Sequence, residues 1–315
     1  MAYDVSVIGG GIMGQGLALH FATQDQNVTV IEHRQSNLDR ARKRIAASAD
    51  TLGEMGVVDR SPENVLDEID FTLDREAGVR SADVVLETIS EDLEAKHDVF
   101  EYVAETAPDD AILASNTSGL RIRDIAGAVP DAADRVVGCH WWNPPYLMPL
   151  VEVVRGPDTA PSTVERTEAF VETVDRNPIR VNADVPGIVW NRIQFAVLRE
   201  CMHLLDEGVA SLLDINAAVR DGYARRTAAI GPFETVDLSG LELFREVAAE
   251  LYPHLSTAES PSDRFDEYIE RGRTGVEAGS GFFDYDESAE SRTRYRDEQL
   301  KAIGDAIATS RRSSE

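Results

Sequence analysis

VSVIGGGIMGQG, Val5 to Gly16, decides how the rest of the chain is read. A β-branched run, Val5–Ile8, leads into the glycine spacing Gly9-x-Gly11-x-x-Gly14, and an apolar helical pattern starts at once with Ile12 and Met13. The order is strand, tight turn, helix. In such a unit the first glycine permits the turn, the second lets a pyrophosphate approach the backbone, and the third lets helix and strand pack closely. The helix start adds unpaired N–H groups and the positive end of its dipole, both suited to phosphate. Glu32 closes the next run, Val28–Glu32, 18 residues after Gly14, where an acid accepts hydrogen bonds from the adenosine ribose hydroxyls. A carboxylate there repels a 2′-phosphate. NAD is therefore expected over NADP, with Arg34 as the one feature against it.

Outward from this unit, β-branched runs alternate with helical stretches. Asp83–Glu87, Ala111–Ser115 and Arg135–His140 read as further strands, and Ile12–Ala22, Asn37–Leu52 and Leu93–Ala104 as helices between strands. That alternation predicts a doubly wound α/β domain with a mostly parallel sheet. Leu150–Val154 and Ile179–Val181 extend it, with a helix near Thr163–Val174. From Asp184 onward only helices are expected, beginning after Pro186-Gly187 with a long one from Ile188 to about Gly208. Its apolar residues, among them Val189, Ile193, Phe195, Val197, Leu198, Cys201, Met202 and Leu204, surround most of the circumference. Such a helix is expected to be buried, inside a domain or between subunits. The division is a Rossmann domain over residues 1–184 and an all-helical domain over 185–315.

The net charge of −26 excludes nucleic acid as a partner, since a phosphate backbone requires a basic face. Lysine occurs only at Lys43, Lys96 and Lys301, leaving 28 arginines among 31 basic residues (31 − 3). An acidic, lysine-poor surface suits the cytoplasm of a halophile, where salt screens the self-repulsion. Cys139 and Cys201 form no metal or redox spacing, the six histidines are scattered, and no metal site is expected. No apolar run reaches the roughly 18 residues of a membrane span, and the chain enters its first strand without room for a signal peptide. A cytoplasmic location follows as the expectation.

HWWNPPYLMPLVEVV, His140 to Val154, holds a carboxylate inside a buried run. Glu152 there needs a partner, and His140, at the end of the neighbouring run, could supply it. Spacing alone leaves a purely structural pair open.

With these motifs, and with VVLETISEDLEAK (84–96), ASNTSGL (114–120), DVPGIVWNR (184–192) and IGPFE (230–234), the chain resembles the L-3-hydroxyacyl-CoA dehydrogenase family almost end to end. TAPSTVERT, LLDEGVASLLDI, RRTAAIGPFETVDL and YRDEQLKAI are similar to its L-gulonate 3-dehydrogenase and lambda-crystallin branch. The resemblance implies a Rossmann domain followed by a helical domain that forms a homodimer. It makes His140 the general base and Glu152 the group that orients it, with Ser118 and Asn191 positioning the substrate. Gly9, Gly11, Ile12, Met13, Gly14 and Glu32 would hold NAD, with Glu91, Lys96, Ser118 and Asn143 near its nicotinamide side. Imidazoles suit this role, because one group must take the hydroxyl proton while hydride leaves for the nicotinamide.

Departures bear on the substrate. Trp141 and Trp142 stand where many acyl-CoA members have paired phenylalanines, and Arg226 precedes the Gly231-Pro232 turn as in the gulonate-type branch. An arginine fork is a natural clamp for a free carboxylate. Arg40, Arg42, Lys43 and Arg44 pull the other way, lying where acyl-CoA members touch the CoA phosphates. Three readings result: an NAD-dependent dehydrogenase of a free 3-hydroxy acid, the same chemistry on a short (S)-3-hydroxyacyl-CoA such as 3-hydroxybutyryl-CoA, or a non-catalytic NAD(H)-binding protein. The intact set Ser118, His140, Glu152 and Asn191 speaks against the last.

Overall fold

The structure, a computed structural model, describes residues 2–312. It divides into two compact units, Met1–Asn191 and Arg192–Glu315. In the first, eight strands form one sheet: β1 (Asp4–Ile8), β2 (Asn27–Ile31), β3 (Ile69–Thr72), β4 (Val84–Glu87), β5 (Ile112–Ser115), β6 (Val136–Trp141), β7 (Leu150–Val154) and β8 (Asn177–Val181). Their order is β3-β2-β1-β4-β5-β6-β7-β8. All neighbours are parallel except β6 and β7, which run antiparallel with His140 opposite Glu152. The helices of this unit are α1 (Ile12–Thr23), α2 (Gln35–Glu54), α3 (Pro62–Asp67), α4 (Arg75–Val79), α5 (Leu93–Thr106), α6 (Ile122–Ala126) and α7 (Pro161–Thr173). The strands are apolar on both faces because each face is covered. One core layer joins Leu17, Phe21, Leu38, Ile45 and Phe170 to the sheet, and the other uses Val79, Val99, Phe100, Ile122 and Ile125. The strand order reverses between β1 and β4. Both strands therefore end at a crevice, the place where open α/β sheets bind ligands.

The doubly wound reading holds. β3, α3 and α4 were not anticipated from the sequence: β3 is the four-residue IDFT, whose Asp70 and Thr72 obscure a strand pattern. Ser61 and Asp74 cap the two short helices, accepting from backbone N–H groups at the next turn.

The second unit is helical, with α8 (Trp190–Asp206), α9 (Leu212–Ala217), a π-helical segment (Ala218–Ala224), α10 (Arg225–Ala229), α11 (Pro232–Ser239), α12 (Leu241–Leu251), α13 (Arg264–Glu270) and α14 (Ala289–Arg312). It is tied together by Arg264 Nε to Asp206 Oδ1 at 2.8 Å, the Ser256 N–H to Glu200 Oε2 at 2.8 Å, and stacking of Phe265 on Phe282. Of the two expectations for α8, burial inside its own domain is not met. Met202 is its one buried residue, while Ile193 and Phe195 are 53% and 59% exposed. Within one chain the apolar circumference of α8 has no adequate cover. Phe233 and Leu238 on α11 are likewise exposed.

Candidate active site

The glycine turn has the shape its sequence requires. Gly9 has φ +102°, and a Cβ on Gly14 would lie 1.8 Å from the Gly9 carbonyl oxygen. A Cβ on Gly11 would meet nothing within 4 Å, so this glycine faces open space at the N-terminus of α1. Ile12, 61% exposed, opens that helix, and Met13 packs against the core behind it. Glu32 lies just past the end of β2, with Oε1 accepting from the Gly10 N–H (2.8 Å) and Oε2 from Asn37 Nδ2 (3.0 Å). Burial raises the Glu32 carboxyl, but these bonds and those from His33 prevail and hold it below its ordinary value. A charged acid beside an open backbone cradle fits a dinucleotide: pyrophosphate at Gly11 and the helix start, ribose hydroxyls donating to Glu32. Arg34 is the extended residue preceding α2.

On the antiparallel β6–β7 pair, His140 Nδ1 lies 2.7 Å from Glu152 Oε2. Glu152 is wholly buried, and its other oxygen accepts from the Val189 and Trp190 N–H groups, each at 2.9 Å. The turn that delivers those amides is unusual. Gly187 and Ile188 both have positive φ, 77° and 54°, and a β-branched residue there is strained. Burial pushes the Glu152 carboxyl up, and the hydrogen bonds from His140 and the two amides overcome it and hold it down. With Nδ1 engaged, Nε2 is the imidazole nitrogen left for a ligand. Trp142 stacks edge-on against His140 (4.9 Å between centroids) and lies 4.6 Å from Trp190.

The segment after β5 is held by one carboxylate. Glu91 Oε1 accepts from Thr117 Oγ1 (2.6 Å) and from the N–H groups of Ser118 (3.0 Å) and Gly119 (2.7 Å). Asn191 Nδ2 donates to the Ser118 carbonyl oxygen at 3.3 Å. Ser118 is thus fixed through both its N–H and its C=O, with its side chain at an exposed position. It does not cap the helix that follows. Asp184 takes that role, accepting from the Ile122 and Arg123 N–H groups at 3.0 Å each. Lys96 is 1% exposed, its ammonium 2.6 Å from Glu87 Oε1 and 3.5 Å from Glu91 Oε2. A solvated Asp92–Lys96 pair does not form, because Asp92 caps α5. The Lys96 ammonium therefore joins buried Glu87 to Glu91, the carboxylate that holds the segment after β5.

Asn143 is exposed and precedes the cis peptide to Pro144; Arg176 Nε donates to the Pro145 carbonyl (3.1 Å) and anchors that turn. Arg226 lies exposed on α10, immediately after the π-helical segment, in the second unit. In the basic cluster, Arg42 stacks over Phe71 (4.5 Å) and Arg40 donates to Asn37 Oδ1 (2.8 Å), so part of it is already engaged. Sequence reasoning passed over Asn116, whose Oδ1 accepts the Trp141 N–H at 2.8 Å, and the buried Glu87, bonded by Lys96 and by Ser115 Oγ (2.6 Å). A charged residue closing an apolar strand, as Glu87 does, was the available signal. Among the described residues no cluster of three or more His, Cys, Asp or Glu could hold a metal, and no helix is long and apolar enough to cross a membrane.

Comparison with known proteins adds independent findings. A family profile described as 3-hydroxyacyl-CoA dehydrogenase, NAD binding domain, matches residues 4–185, and one described as that family's C-terminal domain matches 187–285. The 5-formyl-3-hydroxy-2-methylpyridine 4-carboxylate 5-dehydrogenase of Mesorhizobium japonicum is 31% identical over 285 residues, 90% of this chain and 91% of that protein. The L-carnitine dehydrogenase of Streptomyces griseus is 34% identical over 238 residues, 76% of this chain and 70% of that protein. Among solved structures, a 5-formyl-3-hydroxy-2-methylpyridine 4-carboxylic acid 5-dehydrogenase, described as an NAD+ dependent dismutase, has a TM-score of 0.89 at 30% identity, covering 98% of this chain and 99% of that one.

Proposed function

The chain belongs to the 3-hydroxyacyl-CoA dehydrogenase family, and from that premise we propose that it oxidises the hydroxyl of a small free 3-hydroxy acid, in the manner of the L-gulonate 3-dehydrogenase branch. It is an NAD-dependent oxidoreductase acting on a CH–OH group. NAD, when bound, accepts the hydride. The protein's part is to hold the cofactor by Gly9–Gly14 and Glu32 and to take the hydroxyl proton at His140 Nε2. Glu152 fixes the imidazole tautomer through Nδ1 and stabilises the imidazolium that forms, while Ser118 and Asn191 position the substrate oxygen. One observation carries this reading: a fully buried Glu152 whose two oxygens divide between the imidazole and two backbone amides. A carboxylate so placed can orient the ring and do little else.

Three features support a free acid as substrate. Arg226 is an exposed guanidinium beside a π-helical segment, a feature frequent at functional sites. Trp142 departs from the acyl-CoA pattern. The substrates for which the two relatives are named, a pyridine carboxylate and L-carnitine, are not CoA thioesters. The second reading, a short 3-hydroxyacyl-CoA, is favoured by the family's own description and by Arg40, Arg42, Lys43 and Arg44. NAD reduction in molar salt, comparing free 3-hydroxy acids with 3-hydroxybutyryl-CoA on wild type and Arg226→Ala, separates the two. Selective loss on the free acid supports the first. Activity confined to the thioester and unmoved by the substitution establishes the second.

A further inference from the structure

Trp141 closes β6 and Trp142 is the next residue, and their rings have different neighbours. Trp141 enters the core, 2% exposed, 5.3 Å from Phe21 and 5.9 Å from His20, and its indole N–H donates to Cys139 Sγ at 3.1 Å. Trp142 packs against His140 instead. Its ring meets the imidazole at 4.9 Å and the Trp190 ring at 4.6 Å. The Trp190 backbone is held by Glu152, so the carboxylate that holds His140 also sets the neighbouring aromatic wall.

The two indole N–H groups differ. That of Trp142 is buried and has no acceptor among the described residues. An indole nitrogen can only donate. A buried donor left unpaired is destabilising, and proteins keep few of them. This one belongs to a ring packed edge-on against the imidazole, and an acceptor on a bound molecule would satisfy it.

We propose that the Trp142 indole N–H donates to the C1 oxygen of the substrate, two carbons from the hydroxyl carbon that faces His140 Nε2, and so selects 3-hydroxy compounds bearing a carbonyl-type oxygen at that position. The proposal rests on the reading of His140 as the general base. The acceptor is a carboxylate in a free acid and a thioester carbonyl in an acyl-CoA. The shared chemistry is the same, and the charged acceptor gains more from the bond.

Trp142→Phe removes the donor and keeps an aromatic ring, whereas Trp142→Ala removes both. With 3-hydroxybutyrate, Trp142→Phe should lower kcat/KM roughly 10- to 100-fold, the range for a bond to a charged group. The loss should fall mostly in KM, because the contact exists before the transition state. With 3-hydroxybutyryl-CoA the loss should be under roughly tenfold, as for a neutral acceptor. For Trp142→Phe the melting temperature should not fall, since an unpaired buried donor is lost, and NADH affinity should stay at its wild-type value. A second reading needs no variant. The chain has three tryptophans, and one indole 15N–1H resonance should move downfield when 3-hydroxybutyrate is added to the NADH complex, where no turnover occurs. Full kcat/KM in Trp142→Phe with loss only in Trp142→Ala would reduce Trp142 to packing and overturn the proposal alone. A wild type inert towards both substrates would overturn the functional reading and the proposal with it.

Discussion

Glu152 combines complete burial with a charge, and the sign of its effect on stability follows from its partners. Its carboxyl is held below the ordinary value of about 4.3. A group depressed on folding contributes stability that is present above its unfolded pKa and lost as pH falls through the folded one. Glu152→Gln should therefore lower the melting temperature near neutrality, and the gap to wild type should close on acidification below the ordinary carboxylate range. A gap of constant size would assign the effect to packing. His140→Gln should lower kcat by roughly 10²–10⁴-fold, the usual contribution of a positioned base, with NADH affinity unchanged in a fluorescence titration. Near-normal turnover would remove His140 from the chemistry. The partnership of His140 and Glu152 was legible as a possibility in the sequence, since a carboxylate in an apolar run needs a partner. Their roles came from resemblance, because a separation along the chain does not reveal that two residues face each other across an antiparallel pair.

At the scale of elements, the strand-turn-helix unit makes a contrast between two glycines. Gly14→Ala drives a Cβ into the Gly9 carbonyl at 1.8 Å, so the turn must deform and the melting temperature should fall. Gly11→Ala meets no protein atom. It should melt like wild type yet bind NADH at least about tenfold more weakly, because the methyl occupies cofactor space. Equal NADH affinity in Gly11→Ala would place the pyrophosphate elsewhere. This unit was legible because each glycine answers a local constraint. The four-residue β3 and the short α3 and α4 were not, since their stability comes from neighbours rather than from a period in their own residues. The depth of Lys96 was hidden for a similar reason: its buried partner, Glu87, lies at the end of β4, which the sequence does not show to be adjacent.

At the scale of the molecule, charge and exposed apolar surface pull in different directions. A net charge of −26 produces self-repulsion that salt screens within about 10 Å at 0.1 M and about 3 Å at 1 M. Activity and melting temperature should rise from dilute buffer into molar salt, and full stability in dilute buffer would exclude a halophilic adaptation. The uncovered apolar residues of the second unit, with Phe195, Phe233, Leu238 and Leu241 each more than half exposed, suit burial against a second copy. Sedimentation in molar salt should give a dimer, and Phe233→Glu should shift it towards monomer. A wild type that sediments as a monomer at micromolar concentration would leave that surface without its expected use. The sequence disclosed this apolar surface but not its cover, because a chain's own pattern does not distinguish a core helix from one closed by another subunit.

The strained turn at Gly187–Ile188 limits how this cofactor module can be transplanted. The visible change of character at Asp184 invites a cut there, and every strand and the glycine cradle would survive it. Glu152 Oε1 would not keep its partners, since the Val189 and Trp190 amides lie beyond that cut. A chimera joined after Asp184 would bind nucleotide through a portable cradle while leaving an enclosed carboxylate half solvated by nothing. Joined after Asn191, the same graft carries its own anchor with it.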